Sequence, residues 1–432
     1  MNEAAAAKPT FRKRLRSVAH LNQLGPGLIT GAADDDPSGI ATYSQAGAQF
    51  GFGLLWTLVL TFPLMAAIQL VSAHIGRVTG KGLARNMAAV MPHWLVTGLV
   101  ALLFLANTIN VGADLAAMGE AAKLVAGFGQ HEFTIMFAVV SVLLQMFVPY
   151  KRYARFLTVL TLSLFAYVVL VFMIHLDWSA VGLGMIGIHA ELSPAAATTI
   201  VAVFGTTISP YLFFWQSAEE VEELNHHAGE KPLTDDPAGA PGAFARMRVD
   251  TIAGMGVSNL VALAIMISTA ATLHAAGKTD IQTAAQAAEA LKPLAGKFAF
   301  LLFSLGIIGT GLLAIPVLAG SAAYAVSETR NWKAGLDNMP WEARGFYAVI
   351  AAAVALGLVI DYSGLDPIRA LYWSAVVNGV IAVPMMAAMM VVAGNGKRMG
   401  AFTAGPTLSV LGWASTAVMA AAAITMILVA VT

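Results

Sequence analysis

Apolar runs of membrane-spanning length recur along the chain with short polar stretches between them. They lie near 24–49, 53–76, 94–120, 133–149, 154–176, 195–221, 250–276, 297–327, 342–360, 367–394 and 405–431. A helix needs roughly 20 residues to cross the hydrocarbon core of a bilayer. The pattern therefore predicts eleven transmembrane helices, the fourth short and the third and eighth long. The longest polar stretch, Asn225 to Asp250, is loop-sized, so no soluble domain is expected.

Composition agrees with a polytopic membrane protein. The 432 residues are 58% hydrophobic and 11% charged, with a mean hydropathy of +0.74; a soluble protein has about 25% charged residues. Loop charge supports the count. With the N-terminus inside, only Lys123, Lys278, Lys292, Lys297 and Arg369 fall outside, and the other 19 of the 24 Lys and Arg fall inside. Cytoplasmic loops carry such an excess. The expected topology is an integral inner (plasma) membrane protein with a cytoplasmic N-terminus and an external C-terminus. The basic N-terminus (Lys8, Arg12, Lys13, Arg14, Arg16) precedes a segment with acids and proline, which is unlike a cleavable signal peptide. With no cysteine, disulfides and thiolate metal sites are excluded. A net charge of zero gives no reason to expect a nucleic-acid partner. No phosphate-binding glycine loop and no nucleophile–base pair stands out, so neither ATP use, nor an enzyme, nor a cofactor is expected.

Two segments are interrupted by polar and helix-breaking residues. Segment one carries Asp34-Asp35-Asp36 followed by Pro37-Ser38-Gly39. An ionised carboxylate at membrane depth costs at least a few kcal/mol. Proline and glycine there break the helix and free backbone carbonyls. Acids beside unwound backbone point to a cation site. Segment six carries Gly205-Thr206-Thr207-Ile208-Ser209-Pro210-Tyr211, a second break, with a simple kink at Pro210 as the alternative. The breaks are five spans apart, and an odd number of spans inverts the second half relative to the first. Broken helices at matching positions of two inverted halves mark a substrate site at their interface. The expected organisation is a cytoplasmic N-terminus (1–23), two five-helix repeats (24–177 and 195–394) and an eleventh helix (401–432).

The residues around these breaks resemble a known family. Gly25-Pro26-Gly27, Asp36-Pro37-Ser38-Gly39-Ile40-Ala41 and Gln45-Ala46-Gly47-Ala48 are similar to the first helix of the natural resistance-associated macrophage protein (NRAMP) family. These are divalent transition-metal transporters with a LeuT-type fold. Leu54-Leu55-Trp56, Gln69 and Gly76-Arg77-Val78-Thr79-Gly80-Lys81 resemble the family's second helix and following loop. Ala113-Asp114-Leu115-Ala116 resembles its third helix, and Leu371-Tyr372-Trp373-Ser374, Pro384 and Met399-Gly400 its tenth. The resemblance implies an all-α, eleven-helix, inverted-repeat transporter with broken helices one and six.

Departures from the family pattern shift the expected cargo. The family's first helix carries Asp-Pro-Gly-Asn, whose Asp and Asn bind metal; Asp36 is kept, but Gly39 stands in place of Asn. The sixth carries Met-Pro-His, replaced by Ser209-Pro210-Tyr211. Three residues after Asp114 the family has an acid, and this chain has Ala117. The sequence is thus closer to the NRAMP-related magnesium transporters. A thioether selects softer metals, and its loss leaves an all-oxygen site: Asp36, the Ser209 hydroxyl and carbonyls near Ala33 and Thr206, with room at Gly39 for a partly hydrated ion. Such a site suits Mg²⁺, Mn²⁺ or Ca²⁺. Asp34 and Asp35 are expected either in an outer shell around the ion or in an aqueous vestibule. Glu219, Glu220, Glu222 and Glu223 are read as a solvated acidic face, with a cation funnel as the alternative. Asn107, Asn110 and Asp114 share one helix face, and the resemblance implies that Asp114 pairs with a base such as Arg344 on a proton route. With Ala117 and Tyr211 replacing protonatable groups, weak or absent proton coupling is expected. Asn378 lines the pathway or packs helices. The expected function is alternating-access transport of Mg²⁺, with Mn²⁺ also accepted. The alternatives are a proton-coupled Mn²⁺/Fe²⁺ carrier and a non-transporting membrane sensor or scaffold.

Overall fold

Proline and polar caps set where the apolar segments become helices. Pro26, Pro37, Pro194, Pro210, Pro367 and Pro406 each open a helix, a position where the missing N–H would have had no partner. The computed structural model describes residues 25–148, 157, 160–187, 193–226, 230–362, 364 and 366–431. The basic N-terminus of residues 1–23, the loop cations Lys151, Arg152 and Arg155, and His227 lie outside the described residues.

Segment one is α1 (Pro26–Asp34) and α2 (Pro37–Phe50), and segment two is α3 (Leu55–Thr79). Then come α4 (His93–Ala126), α5 (Gln130–Phe147), α6 (Phe165–Met173) and α7 (Trp178–Ile186). Segment six is α8 (Pro194–Thr207) and α9 (Pro210–His226). The chain continues through α10 (Ala240–Thr269), α11 (Ala299–Arg330), α12 (Arg344–Asp361), α13 (Pro367–Ala393) and α14 (Pro406–Val431). Among the described residues, nine helical runs are long and apolar enough to cross a membrane, or ten if one bent pair is a single span. One of the nine, 37–79, joins half of segment one to segment two across Gly51, which ends α2 at φ +56°. Each of the eleven apolar segments thus carries a helix or a broken helix. The bent pair is a departure: segment five ends at Met173, and after a 120° bend α7 follows. Asp177 starts α7 by accepting from the backbone N–H of Ser179 and Ala180 at 3.0 and 3.2 Å.

Small residues let these helices pack backbone to backbone, as apolar helices must when lipid is no worse a neighbour than leucine. In the seam between α1 and α10, a Cβ on Gly31 would lie 2.4 Å from the Gly254 carbonyl carbon. Asp250 of α10 also caps α1, accepting from Gly27 N at 2.7 Å and Leu28 N at 3.3 Å. That satisfies two of the orphan donors at the helix start. α8 packs on α13, and α4 packs on α11, α12 and α13. The two broken helices therefore lie among α4, α10 and α13, with α14 at the periphery against α3, α8 and α13.

Candidate cation site between two broken helices

The first break follows from Pro37. Its ring disfavours helical geometry in the preceding residue, and Asp36 is extended (φ −71°, ψ 169°). Asp35 is also outside the helix (φ −81°, ψ 53°). Freed in this way, the Asp36 carboxylate caps α2, accepting from Gly39 N at 2.7 Å. Its other oxygen accepts from Asn110 Nδ2 of α4 at 3.1 Å and lies 3.4 Å from the Tyr211 hydroxyl of α9. Asn110 is itself oriented by Ser374 of α13, whose hydroxyl donates to Asn110 Oδ1 at 2.6 Å. Ser38 lies 3.3 Å from Ser374 and donates to Leu371 O at 3.0 Å.

The second break spans Ile208 (φ −119°, ψ 59°) and Ser209, between α8 and α9. The two breaks face each other. A Cβ on Gly39 would stand 3.2 Å from Thr206 Oγ1 and 3.3 Å from the Tyr43 ring. The two carbonyls expected to be free are each covered by a hydroxyl: Tyr211 donates to Ala33 O at 3.2 Å. The Ser209 hydroxyl lies 2.7 Å from Gly205 O and 3.0 Å from Thr206 O, at the end of α8, and its one proton is shared between them. The structure thus brings Asp36, Gly39, Ala33, Thr206 and Tyr211 together. Ser209 joins them through the Thr206 carbonyl, without direct contact to Asp36. Asp36, Thr206 and Ser209 are 2%, 2% and 1% exposed, so the site is closed to both sides. Pro37 and Pro210 both open the second half of a broken helix, as expected.

Asp34 and Asp35 face α10. The Ser258 hydroxyl lies 2.5 Å from Asp34 Oδ2 and 3.0 Å from Asp35 Oδ1. With Asp34 0% and Asp35 7% exposed, neither lines an open vestibule in this closed arrangement. Among the described residues, no lysine, arginine or histidine forms an ion pair with any of the three acids. Ser258 is one of two serines in α10, with Ser268, and nothing in the sequence distinguishes it as their partner.

Comparison with known proteins decides the family. The model of the natural resistance-associated macrophage protein-like family matches residues 27–429. This chain belongs to the NRAMP family. Its curated relatives include the divalent metal cation transporter MntH of Pectobacterium carotovorum, 26% identical over 405 residues that cover 91% of this chain and 90% of the relative. MntH of Yersinia pestis is 28% identical, covering 94% of each. Among solved structures, the Eremococcus coleocola manganese transporter in complex with an aromatic bis-isothiourea compound superposes with a TM-score of 0.73 at 16% identity, covering 98% of this chain and 88% of that one. Mhp1, a nucleobase-cation-symport-1 family transporter in a closed conformation, gives 0.59 at 13% identity, covering 94% and 93%. The fold is the LeuT-type fold, and NRAMP proteins are integral membrane transporters rather than enzymes.

Two expectations are corrected by the packing. The pairing of Asp114 with Arg344 does not form. Both Asp114 carboxylate oxygens are buried without a hydrogen-bond partner, and Arg344 is exposed. The cause is register: Gly112 of α4 meets Gly357 of α12, and 13 residues at 1.5 Å rise place Arg344 about 20 Å farther along α12. Nor is the glutamate run at the end of α9 a solvated face. Glu219 and Glu220 are buried, and Glu220 accepts from Arg246 of α10 at 2.8 Å. Glu222 accepts from the Tyr324 hydroxyl of α11 and, at 3.3 Å, from Leu336 N. Asn378 is buried in α13 with its Oδ1 unpartnered.

Proposed function

We propose that this NRAMP protein moves divalent metal cations across the membrane by alternating access. Mg²⁺ is the first cargo, Mn²⁺ is also accepted, and proton coupling is weak or absent. The carrying observation is Asp36, a buried carboxylate between two broken helices, with Ser209 and Tyr211 standing where the family pattern has a thioether and an imidazole. In this reading Asp36 holds the ion, assisted by the carbonyls of Ala33 and Thr206 and the Ser209 hydroxyl once the hydroxyls covering those carbonyls turn aside. Space at Gly39 for a water that the ion keeps opens only when Thr206 and Tyr43, which stand 3.2 and 3.3 Å from where a Cβ would lie, move apart; Mg²⁺ dehydrates reluctantly. Asn110 and Tyr211 orient Asp36, and Asp114 and Asn378 line the surroundings. The halves 24–177 and 195–394 rock about the breaks, with the N-terminus cytoplasmic and the C-terminus outside. The names of the relatives, divalent metal cation transporter and manganese transporter, support a divalent cargo.

Membrane potential supplies the driving force. Each elementary charge gains about 2.3 kcal/mol per 100 mV, so a divalent ion gains about twice that without a coupled proton. Among the described residues Asp114 has no hydrogen-bond partner and no ion pair, and Ala117 and Tyr211 stand in place of two further protonatable positions of the family pattern. The second reading is a proton-coupled Mn²⁺/Fe²⁺ carrier; the manganese in a structural neighbour's name favours its Mn²⁺ cargo.

The two readings separate in liposomes held at fixed potential with a pH dye inside. The expected result is Mg²⁺ uptake, competed by Mn²⁺, without internal acidification. Mn²⁺ uptake with acidification and no response to Mg²⁺ would establish the second reading instead.

Selectivity gives a further prediction. Ser209→Met combined with Gly39→Asn adds a soft donor and an amide oxygen where this chain has neither. The expected shift in Mn²⁺ over Mg²⁺ uptake is about tenfold or more, corresponding to about 1.4 kcal/mol. Gly39→Asn alone meets Thr206 and Tyr43 at 3.2 and 3.3 Å, so total flux should fall as the ratio changes. An unchanged ratio in competition uptake would count against the all-oxygen site as the source of selectivity.

A further inference from the structure

Asp34 and Asp35 have partners unlike those of Asp36. Asp36 is held by Gly39 N, Asn110 and Tyr211, from α2, α4 and α9. Asp34 and Asp35 instead converge on Ser258 of α10 at 2.5 and 3.0 Å. A serine hydroxyl has one proton, which can point at only one of these oxygens. The other contact is oxygen against oxygen, with no serine proton between them. The remaining oxygen of Asp34 is buried without any hydrogen-bond partner, in a residue 0% exposed. Among the described residues no basic side chain pairs with either acid. Taking an isolated carboxylate out of water costs several kcal/mol. Two adjacent ones therefore call for positive charge from outside the chain.

We propose that Asp34, Asp35 and Ser258 form a second cation site, separate from that at Asp36, which takes one hard divalent ion such as Mg²⁺ or Mn²⁺. Two carboxylates match the charge of one divalent ion, and an all-oxygen donor set suits these metals. The site joins α1 to α10 at the level of the first break, above the Gly31–Gly254 contact. An ion there clamps these helices together, and its departure loosens the seam where α1 must part from α10. The proposal rests on the reading of the first break as a cation site, but it concerns the opposite side of that break.

The test is Mn²⁺ binding to the purified full-length chain in detergent, with free Mn²⁺ read by electron paramagnetic resonance. The wild type is expected to bind two Mn²⁺ per chain, both displaced by excess Mg²⁺. Asp34→Asn with Ser258→Ala should leave one, and Asp36→Asn should leave the other. Each retained ion reports that its variant is folded. If the double variant binds none, Ser258→Ala alone decides, since it removes no charge. It should weaken one of the two ions about tenfold and spare the other. One Mn²⁺ in the wild type, or two undiminished ions in the Asp34 and Ser258 variants, overturns the second site. Two ions in Asp36→Asn, with one lost on changing Asp34 and Ser258, would keep the second site and sink the assignment of Asp36.

Discussion

Asp36→Ala is expected to reduce Mg²⁺ uptake to background while the protein stays folded. Asp36 is the one acid whose carboxylate reaches groups on both sides of the closed site, Gly39 N on α2 and Tyr211 on α9. Without it an ion entering between the breaks meets mainly neutral groups, the carbonyls, hydroxyls and the Asn110 amide that surround Asp36. These neutral dipoles replace water poorly for an ion that surrenders its hydration as reluctantly as Mg²⁺. Stability should move little, because two effects oppose each other. The change removes the cap of α2, which costs about 1 kcal/mol. It also removes a desolvated charge that no basic residue among the described ones pairs with, which is a gain. Asp36→Asn keeps the shape and part of the cap, and it should abolish uptake equally. The checks are uptake into liposomes and thermal unfolding of the same preparations. Substantial uptake by Asp36→Asn, in protein that unfolds like the wild type, would show that the ion is held elsewhere.

Much of this arrangement was legible in the chain because membrane helices announce themselves locally. Length and apolarity located the long apolar helices among the described residues, though not the bend that leads into α7, and Pro37 and Pro210, each behind polar residues, located both breaks. What the sequence left hidden depends on distant partners and on register. Ser209 was read as a ligand because a hydroxyl stands where the family has a thioether. In the structure that hydroxyl turns back to the end of α8, toward the Gly205 and Thr206 carbonyls, a local bond that serine makes readily. Asn110 belonged to a recognised polar face, but only packing of α4 on the first break turns it to Asp36. Ser258 carried no signal at all. Arg344 failed as a partner for Asp114 because a glycine contact two residues from Asp114 sets which part of α12 lies opposite. Charge type can be read from a sequence, whereas the offset between two packed helices cannot.

Gly205→Ala should be the most disruptive single methyl in the protein. Its Cβ would lie 2.1 Å from Ala375 O, 2.4 Å from Gly379 N and 2.7 Å from Gly379 Cα. All three are backbone atoms of α13, so no side chain can swing away, and one helix must move. Forced overpacking costs typically 1–3 kcal/mol and occasionally more, with the upper end expected where backbone faces backbone. The displacement would also reach Thr206, the next residue, and with it the second break. The expected outcome is a lower melting temperature, poor recovery from the membrane and loss of uptake in whatever folds. Gly98→Ala is the matched control. It too lies inside a helix, α4, but nothing stands within 4 Å of its added Cβ. Alanine there gains up to about 1 kcal/mol of helix propensity, so its melting temperature should hold or rise, with uptake unchanged. Equal behaviour of the two variants in thermal unfolding would mean that α8 and α13 are not in the close contact on which the position of the second break depends.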